Sequence, residues 1–285
     1  MSKRRRKNHR GILKLILSIV LFALLVYADK IGLLTFIDKD ISGLSGDSVA
    51  IDAFYSIGEN NLERAHDAKI RESVSDNINI ESGKINIIFF YVGQADCSLI
   101  IEDGHAILID AGNSEDGENI VTAIKALGIS KLDMVIGTHV HEDHIGGMRY
   151  IINNFEVGKF FLPYNGTSTL SFYKKLLKTL SEKNMSITQA NVGDKYNLGN
   201  MNIEIMSVDN SDPENINLES ICTQITYGNE KYLFMGDAEK ENEISRKWDD
   251  IDVLKVGHHG SNTSSSNAFL NQIRPEISII QVRQR

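Results

Sequence analysis

The stretch Thr138–Gly147 reads THVHEDHIGG and follows a short apolar run that predicts a strand. His139 and His141 alternate along the chain, so two imidazoles can converge from an extended loop on one ion. The following pair, Asp143 and His144, can turn toward a second ion, because borderline cations such as zinc accept both imidazole nitrogen and carboxylate oxygen. The stretch therefore predicts a metal cage at the carboxyl end of a strand.

Two later segments carry further ligand-type residues after predicted strands. His258 and His259 follow one apolar run, and Asp237 follows another. A carboxylate placed there could bridge two ions about 3.5–4 Å apart. A lone acid after a strand is more often the cap of the next helix, and a lone His-x-His more often faces solvent. The combination of these residues at several strand ends indicates a metal site.

Hydrophobic periodicity from residue 84 onward predicts strands alternating with helices. Asp103-Gly104 marks a hairpin turn between two of the strands. The alternation predicts sheets covered by helices. The predicted strands are Ile85–Val92, Cys97–Glu102, Ala106–Ile109, Met134–Gly137, Val157–Leu162, Met201–Met206, Ile221–Tyr227, Lys231–Met235, Val253–Val256 and Ile277–Val282, and the predicted helices are Asn119–Leu127, Met148–Asn154, Leu170–Lys183, Glu239–Trp248 and Ala268–Ile273.

The amino-terminal end predicts a membrane anchor. MSKRRRKNHR precedes an apolar run from Ile12 to Ala28, which only Lys14 and Ser18 interrupt and which is about long enough to span a bilayer. The basic flank should stay in the cytoplasm, so we expect a single-pass protein whose remaining chain lies outside. A cleaved signal peptide, which would give a secreted protein, is the alternative, because Val26-Tyr27-Ala28 offers a cleavage site.

Composition and charge restrict the partners of the globular part. The chain is 42% apolar and 24% charged, close to an ordinary globular protein. Seven of the 30 basic residues lie in residues 1–28, and the remaining 23 basic and 38 acidic residues give a formal charge of −15. Such a surface disfavours nucleic acid as a partner, without excluding it. Cys97 and Cys222 are interpreted as buried thiols rather than as a disulfide.

Five motifs in order over residues 85–261 resemble one group of metallo-β-lactamase-fold hydrolases, the ComEC-like group. That group includes the extracellular domain of the competence protein ComEC and is similar to phosphorylcholine esterases of cell walls. THVHEDHIGG resembles the superfamily's HxHxDH signature. The other four, each similar to a motif of the group, are Tyr91–Asp96 (YVGQAD), Leu108–Gly112 (LIDAG), Met235–Asp237 (MGD) and Leu254–Ser261 (LKVGHHGS).

The resemblance implies an α/β (α+β) fold, the αβ/βα four-layer sandwich, with the metals held by loops along one edge. It also implies two divalent ions, for which zinc is the first choice and manganese an alternative. By position in the motifs, His139 and His141 would hold one ion, Asp143 and His144 the other, Asp237 would bridge, and His258 and His259 would complete the shells. Asp110 would orient the histidine loop from behind, and Asp96 and Gln94 would support the site.

Two features depart from the pattern of relatives. Residues 145–236 contain no histidine, which argues against a β-lactam or thioester specialist. Family members usually continue past the strand at Ile277 with a glycine-rich turn and a last helix, so we expect a domain shortened at its carboxyl end. The expected organisation is a basic tail and anchor over 1–28, a linker or stalk over 29–83, in which Asp47–Ser56 could form a short strand, and the hydrolase domain over 84–285.

The expected activity is extracytoplasmic hydrolysis of phosphodiester or phosphoester bonds, in small molecules or polymers, by a hydroxide shared between the two metals. Asp143 and Asp237 are the predicted catalytic residues. Ser261 and Asn262, with Thr263, could bind phosphate oxygens or could equally form a polar loop that caps the next helix. The alternatives are a β-lactam or other ester hydrolase and an inactive, membrane-anchored relic or binding module. The sequence indicates no oligomeric state.

Overall fold

The computed structural model describes residues 50–51, 55–56, 78–163, 170–209, 212 and 214–283. The predicted anchor over residues 1–28 and most of the predicted stalk over 29–83 lie outside these residues, so both stay predictions. Within the described part of the chain, no helix combines the length and apolar character needed to cross a membrane.

The first sheet has eight strands in the order β1-β3-β4-β5-β6-β7-β8, with β2 paired to β3. Strands β3, β4 and β5 run antiparallel, whereas β5 to β8 run parallel and are joined through helices. The strands are β1 (Ala50–Ile51), β2 (Tyr55–Ser56), β3 (Asn86–Tyr91), β4 (Ser98–Glu102), β5 (His105–Ile109), β6 (Lys131–Ile136), β7 (Glu156–Phe161) and β8 (Ile187–Thr188).

The second sheet has six strands in the order β14-β13-β12-β11-β10-β9. Strands β9 to β12 form an antiparallel meander, and β13 and β14 add to it in parallel. The strands are β9 (Lys195–Leu198), β10 (Met201–Ser207), β11 (Cys222–Tyr227), β12 (Glu230–Phe234), β13 (Val253–Lys255) and β14 (Ile277–Ile279).

The helices cover the outer faces of the two sheets. Three groups of buried side chains separate the layers: one between the first sheet and α1, α3 and α4, one between the sheets, and one between the second sheet and α6. This order of layers confirms the predicted αβ/βα sandwich. The helices are α1 (Gly117–Ala126), α2 (Glu142–Ile145), α3 (Met148–Asn154), α4 (Ser171–Glu182), α5 (Lys240–Ile244) and α6 (Asn267–Ile273), and 3₁₀ turns span Ile216–Glu219 and Gly257–Gly260.

Strand β3 shows why its sequence is continuously apolar. Successive side chains of a strand point to opposite faces, so Ile87 and Phe89 pack between the sheets while Ile88 and Phe90 pack under the helices. Because both faces are buried, both sets must be apolar. The same reasoning places the boundaries of most predicted strands within a few residues of the observed ones.

Several elements differ from the prediction. Within the predicted strand Asp47–Ser56, the described residues form two short strands, β1 and β2, which pair with β3 and lie inside the range predicted as a stalk. Helix α5 ends at Ile244 rather than Trp248, and the indole Nε1 of Trp248 donates to the carbonyl of Glu243 (2.7 Å). Strand β14 ends at Ile279, before the predicted Val282.

Candidate metal centre

The predicted ligands are brought together by loops that leave the carboxyl ends of four strands. Asp110 follows β5, the HxHxDH stretch follows β6, Asp237 follows β12 and the paired histidines follow β13. Strands β5 and β6 are parallel neighbours in the first sheet, and β12 and β13 are parallel neighbours in the second. Each sheet therefore delivers two adjacent loops to one common edge.

The loop after β6 is packed tightly against the two loops beside it. The backbone N–H of Asp96 donates to the carbonyl of Asp143 (3.0 Å), and that of Ala111 donates to the carbonyl of His144 (2.7 Å). A Cβ atom at Gly147 would lie 2.1 Å from the carbonyl oxygen of Ala111, so only glycine permits this approach. Three of the sequence motifs thus form one hydrogen-bonded block.

Asp110 holds the histidine loop from behind. Its carboxylate accepts from the backbone N–H of Thr138 (2.8 Å) and from the hydroxyl of Thr138 (2.8 Å), and it lies 2.8 Å from Nδ1 of His144. A carboxylate is an acceptor, so Nδ1 of His144 carries the proton in this bond, which leaves Nε2 as the nitrogen that can bind an ion. The position of Asp110 is the one that the sequence predicts.

His139 and His141 approach each other as the i, i+2 spacing predicts. Nε2 of His139 lies 2.8 Å from Nδ1 of His141. The other nitrogen of His139, Nδ1, lies 3.1 Å from the hydroxyl of Thr138 and 3.4 Å from that of Ser220. His139 is fully buried, whereas His141 is partly exposed at the start of α2.

Asp237 lies at the centre of the site, and its two oxygens face different histidines. Oδ1 lies 3.2 Å from Nε2 of His144 and 3.6 Å from Nε2 of His259. Oδ2 lies 3.8 Å from Nε2 of His139 and 3.8 Å from Nε2 of His258. The cap of helix α5 is Glu239, with a capping box to Asn242, so Asp237 is not needed as a helix cap.

The paired histidines occupy a strained turn. His258 and His259 have φ values of 47° and 50°, in the left-handed region that non-glycine residues seldom adopt. This turn points Nε2 of His259 to within 3.3 Å of the Asp143 carboxylate. Its Nδ1 lies 3.0 Å from the carbonyl of Gln281 and 3.3 Å from the Asp96 carboxylate.

Polar atoms without partners converge on the same point. Among the described residues, seven buried side-chain nitrogen or oxygen atoms lack a hydrogen bond, and four of them lie here. Each such atom costs about 1–3 kcal/mol when it is left unsatisfied, so their convergence indicates that divalent ions are the missing partners. The four atoms are Oδ1 of Asp96, Nε2 of His144, Oδ1 of Asp237 and Nε2 of His259.

Imidazole nitrogens and carboxylate oxygens are the ligands that zinc and similar ions accept, so the residues present fit the predicted metals. Among the described residues, three compact groups of potential ligand atoms each contain at least two of the predicted ligands, and the third group adds Asp96. They are His139–His144–Asp237, Asp143–His144–His259 and Asp96–Asp237–His259. His141 and His258 reach these groups through His139 and Asp237 respectively.

The charges of the site are set by burial and by neighbouring groups. Burial, helped by the nearby histidines, holds the pKa of His139 well below its usual value. Burial also opposes charge on His259, but the carboxylates of Asp143 and Asp96 outweigh it and raise the pKa of His259 to about 9. Protons therefore balance the carboxylates in the metal-free protein, and an ion must displace them to bind.

Lys255 is a supporting residue that the sequence analysis missed. Its ammonium lies 2.6 Å from the Asp96 carboxylate and donates to the carbonyl of Val256 (3.0 Å). Burial of Asp96 is offset by Lys255, which lowers the pKa of Asp96 and keeps it ionised beside His259. The lysine is the second residue of the LKVGHHGS motif, so its place in that motif is a signal that could have identified it.

Glu239 and Ser220 were also missed. Glu239 accepts from Asn215 (3.0 Å), Asn217 (3.2 Å) and Thr263 (2.8 Å), and Nδ1 of His258 lies 3.2 Å from its carboxylate. The hydroxyl of Ser220 accepts from the backbone N–H of Asp237 (3.0 Å). Glu239 lies two residues after Asp237 of the MGD segment, but no pattern in the sequence distinguishes it from a surface acid.

The loop predicted to bind substrate lies at the rim. Asn262 is exposed, and the hydroxyl of Ser261 lies 3.2 Å from that of Thr263. The hydroxyl of Thr263 also lies 3.0 Å from Nδ1 of His258, while the cap of helix α6 is Ser266. The loop therefore does not cap α6, and a substrate role for Ser261 and Asn262 stays a prediction. Gln94, predicted to support the site, is exposed and accepts from the backbone N–H of Arg283 (3.4 Å).

The chain belongs to the metallo-beta-lactamase superfamily, whose family model matches residues 90–282. It is 31% identical over 169 residues to ComE operon protein 3 of Bacillus subtilis (strain 168). The match covers 58% of this chain and 22% of that protein. It is 31% identical over 196 residues to Recombination protein 2 of Haemophilus influenzae, with coverages of 66% and 23%. Competence protein ComA of Neisseria gonorrhoeae is 26% identical over 197 residues, with coverages of 66% and 25%.

These relatives confirm the resemblance to the ComEC-like group, and the chain spans about a quarter of their length. A similar solved structure is CmlA, a diiron β-hydroxylase from Streptomyces venezuelae, with a TM-score of 0.47, 13% identity and coverage of 70% of this chain and 45% of that one. With a score below 0.5, it bears on no residue of the site. The family and the cluster of potential metal ligands together indicate a metal-dependent hydrolase that binds divalent ions.

Proposed function

We propose that the chain is a binuclear, metal-dependent hydrolase of phosphodiester or phosphoester bonds that acts outside the cytoplasm. The observation that carries this proposal is that the two carboxylate oxygens of Asp237 face different pairs of histidines. Oδ2 faces His139 and His258, and Oδ1 faces His144 and His259. One carboxylate that serves two groups of ligands is the arrangement expected of a bridge between two ions.

Two ions held here would supply an activated water and positive charge facing the oxygens of a phosphoryl group. The chain's own residues hold the geometry. Asp110 and Thr138 fix the imidazole of His144, while Glu239 and Thr263 fix that of His258. Preorganised ligands need no rearrangement when the reaction begins, which favours catalysis.

Asp143 is the residue we assign to orient a water beside the reacting atoms. Its side chain is 31% exposed, unlike the buried Asp237, so it lies between the cluster and solvent. Its Oδ2 is 3.3 Å from Nε2 of His259 and 4.0 Å from Nε2 of His144. Those neighbours outweigh the effect of burial and lower the pKa of Asp143, so its carboxylate is ionised and can accept a hydrogen bond from a water.

The substrate proposed is an anionic phosphodiester, small or polymeric. The rim loop with Ser261 and Asn262 offers hydroxyl and amide donors to phosphate oxygens. The printed names of the relatives, a competence protein and a recombination protein among them, favour DNA as one such polymer. The formal charge of −15 outside residues 1–28 disfavours tight, non-specific binding of it. The lack of histidine in residues 145–236 continues to argue against β-lactams.

The proposed place of action depends on the first 28 residues. Their basic flank and apolar run support a single-pass anchor that leaves the hydrolase domain outside the cytoplasm. For the metal of that domain, zinc is the first choice and manganese the alternative. A protease added to intact cells that express the full chain should remove the hydrolase domain. Protection in intact cells, with cleavage only after lysis, would contradict the placement.

The test of function begins with metal content, measured by elemental mass spectrometry on the full chain in detergent. We expect about two ions per chain in the wild type and a clear loss in Asp237→Ala. Asp249→Ala is the matched control, because Asp249 is 80% exposed and contacts Lys231 rather than the cluster.

The same proteins would then be assayed on bis-p-nitrophenyl phosphate, single-stranded DNA and a chromogenic cephalosporin. Hydrolysis of a phosphodiester that Asp237→Ala loses and Asp249→Ala keeps would support the proposal. Hydrolysis of the cephalosporin alone would support the β-lactamase alternative. A folded wild type that binds no metal and hydrolyses none of the three would support the inactive relic instead.

A further inference from the structure

Gln281 links the last described residues to both the first sheet and the metal centre. It follows β14 by two residues, and only 4% of its surface is exposed. Burial of a glutamine is costly unless its amide is hydrogen-bonded. Every polar atom of its side chain has a partner, and its backbone carbonyl faces a predicted metal ligand.

The side chain of Gln281 bonds to the ends of two strands in the opposite sheet. Its Nε2 donates to the carbonyl of Phe90 (2.8 Å) and to that of Cys97 (3.0 Å). Its Oε1 accepts from the hydroxyl of Ser98 (3.3 Å). Phe90 lies in β3, Ser98 begins β4 and Cys97 directly precedes it, so the amide fixes the chain on both sides of the turn that contains Asp96.

The backbone carbonyl of Gln281 accepts from Nδ1 of His259 (3.0 Å). A carbonyl oxygen can only accept, so this bond requires the proton on Nδ1. A neutral imidazole with its proton there presents a lone pair at Nε2, which faces Asp143 and Asp237 and has no hydrogen bond. The bond also fixes the direction of the His259 ring. His259 lies in the strained turn, and among the described residues the carbonyl of Gln281 is the one backbone carbonyl that bonds to its imidazole.

We propose that Gln281 is a positioning residue for His259. Its side-chain amide anchors the segment after β14 to the first sheet, and the carbonyl so placed sets the tautomer and direction of the metal-facing Nε2. This inference rests on the metal centre of the proposed function but not on its substrate. It also assigns to the second sheet's last segment a part in the site that the sequence motifs do not indicate.

The test compares metal affinity of wild type, Gln281→Met and Ser98→Ala, using the full chain in detergent after removal of metal. Methionine keeps the length of the side chain and removes both amide donors. We expect the zinc affinity of Gln281→Met to fall about 10–100-fold, the usual effect of losing a partner behind a metal-binding histidine. Ser98→Ala, which loses only the 3.3 Å bond, should stay within a few-fold of wild type.

A second measurement reports the tautomer directly. In ¹⁵N-labelled, metal-free protein at a pH above the His259 pKa of about 9, where the imidazole is neutral, its resonances should show the proton on Nδ1 in the wild type and a mixture of tautomers in Gln281→Met. A purely structural role would lower the melting temperature of Gln281→Met without changing either the tautomer or the affinity of the folded protein. Should that variant not fold, Gln281→Asn, which keeps the amide on a shorter side chain, should show the same two changes.

The inference fails alone if the wild type binds zinc and the Gln281 variants bind it equally well with an unchanged tautomer. A wild type that binds no divalent ion overturns both the proposed function and the inference. The two failures are therefore distinguished by the wild-type titration.

Discussion

The two histidine-bearing loops reach the same centre by different means. The loop after β6 is held by its own neighbourhood, since Thr138 is adjacent in sequence and Asp110 directly follows β5, the neighbouring strand of the same sheet. The turn after β13 has left-handed backbone at two histidines and depends on distant partners, Glu239 and Gln281 among them. The first loop is preorganised locally, whereas the second is held in a costly conformation by contacts from the rest of the fold.

The largest effect should come from removing the residue that both loops share. Asp237→Ala leaves His139, His144, His258 and His259 without their common carboxylate. We expect metal content to fall below one ion per chain and kcat/KM on the best phosphodiester to fall about 10³-fold or more, because several kcal/mol of charge stabilisation is lost. Activity that survives while metal is lost would contradict the prediction, because it would show that catalysis does not require the bound ions.

Removing the metal should affect the second loop more than the first. A ligand held at about 100 times its dissociation constant stabilises the fold by about 2.7 kcal/mol, which corresponds to a fall of roughly 5–10 °C in Tm for a domain of this size. We expect this fall on chelation, measured by scanning calorimetry. Amide hydrogen exchange should rise further in residues 257–263 than in residues 138–147, and equal protection of the two loops would contradict the comparison.

Asp110→Asn tests the local support of the first loop. The amide replaces one acceptor oxygen with a donor that faces the N–H and hydroxyl of Thr138 and Nδ1 of His144. We expect zinc affinity to fall about 10–100-fold and the protein to unfold at lower denaturant concentration. Asp116→Asn is the control, because Asp116 bonds to Asn113 and lies outside the ligand groups; a loss of similar size there would show that the effect is general destabilisation.

Glu239→Gln should have the smallest effect of the four. Glutamine keeps the shape but loses the charge beside His258, whose side chain is 28% exposed and therefore already in contact with water. We expect a loss of zinc affinity of about tenfold, at the lower end of the range for such partners, measured by competition with a fluorescent chelator. A loss larger than that of Asp110→Asn would mean that the second loop, and not the first, dominates binding.

The same contrast explains how much the sequence could predict. The bounds of strands such as β3 can be predicted closely from the sequence, because burial on both faces demands a continuous run of apolar residues. His139, His144 and Asp237 could be predicted because each lies in a short motif after a strand. Strands β8 and β9 were not predicted, since the first has two residues and the second alternates with polar side chains on a partly exposed edge.

Supporting residues were harder to predict than ligands. Lys255 pairs with Asp96 across the two sheets, and Gln281 bonds to Phe90 and Cys97, which lie 191 and 184 residues earlier in the chain. Such pairs exist only once the sheets have packed, and single residues of these types carry no local periodicity. The sequence therefore indicates what can bind an ion, whereas the fold shows what holds those groups in place.

The central carboxylate also sets the order in which the site can be completed. Ribosomes extend the chain from its amino end, so His139 to His144 emerge well before Asp237, and Asp237 before His258 and His259. Neither group of histidines has its shared oxygen until nearly the whole domain has been synthesised and both sheets have docked. Nascent chains should consequently remain poor traps for stray ions, and loading should be among the last events in the maturation of this protein.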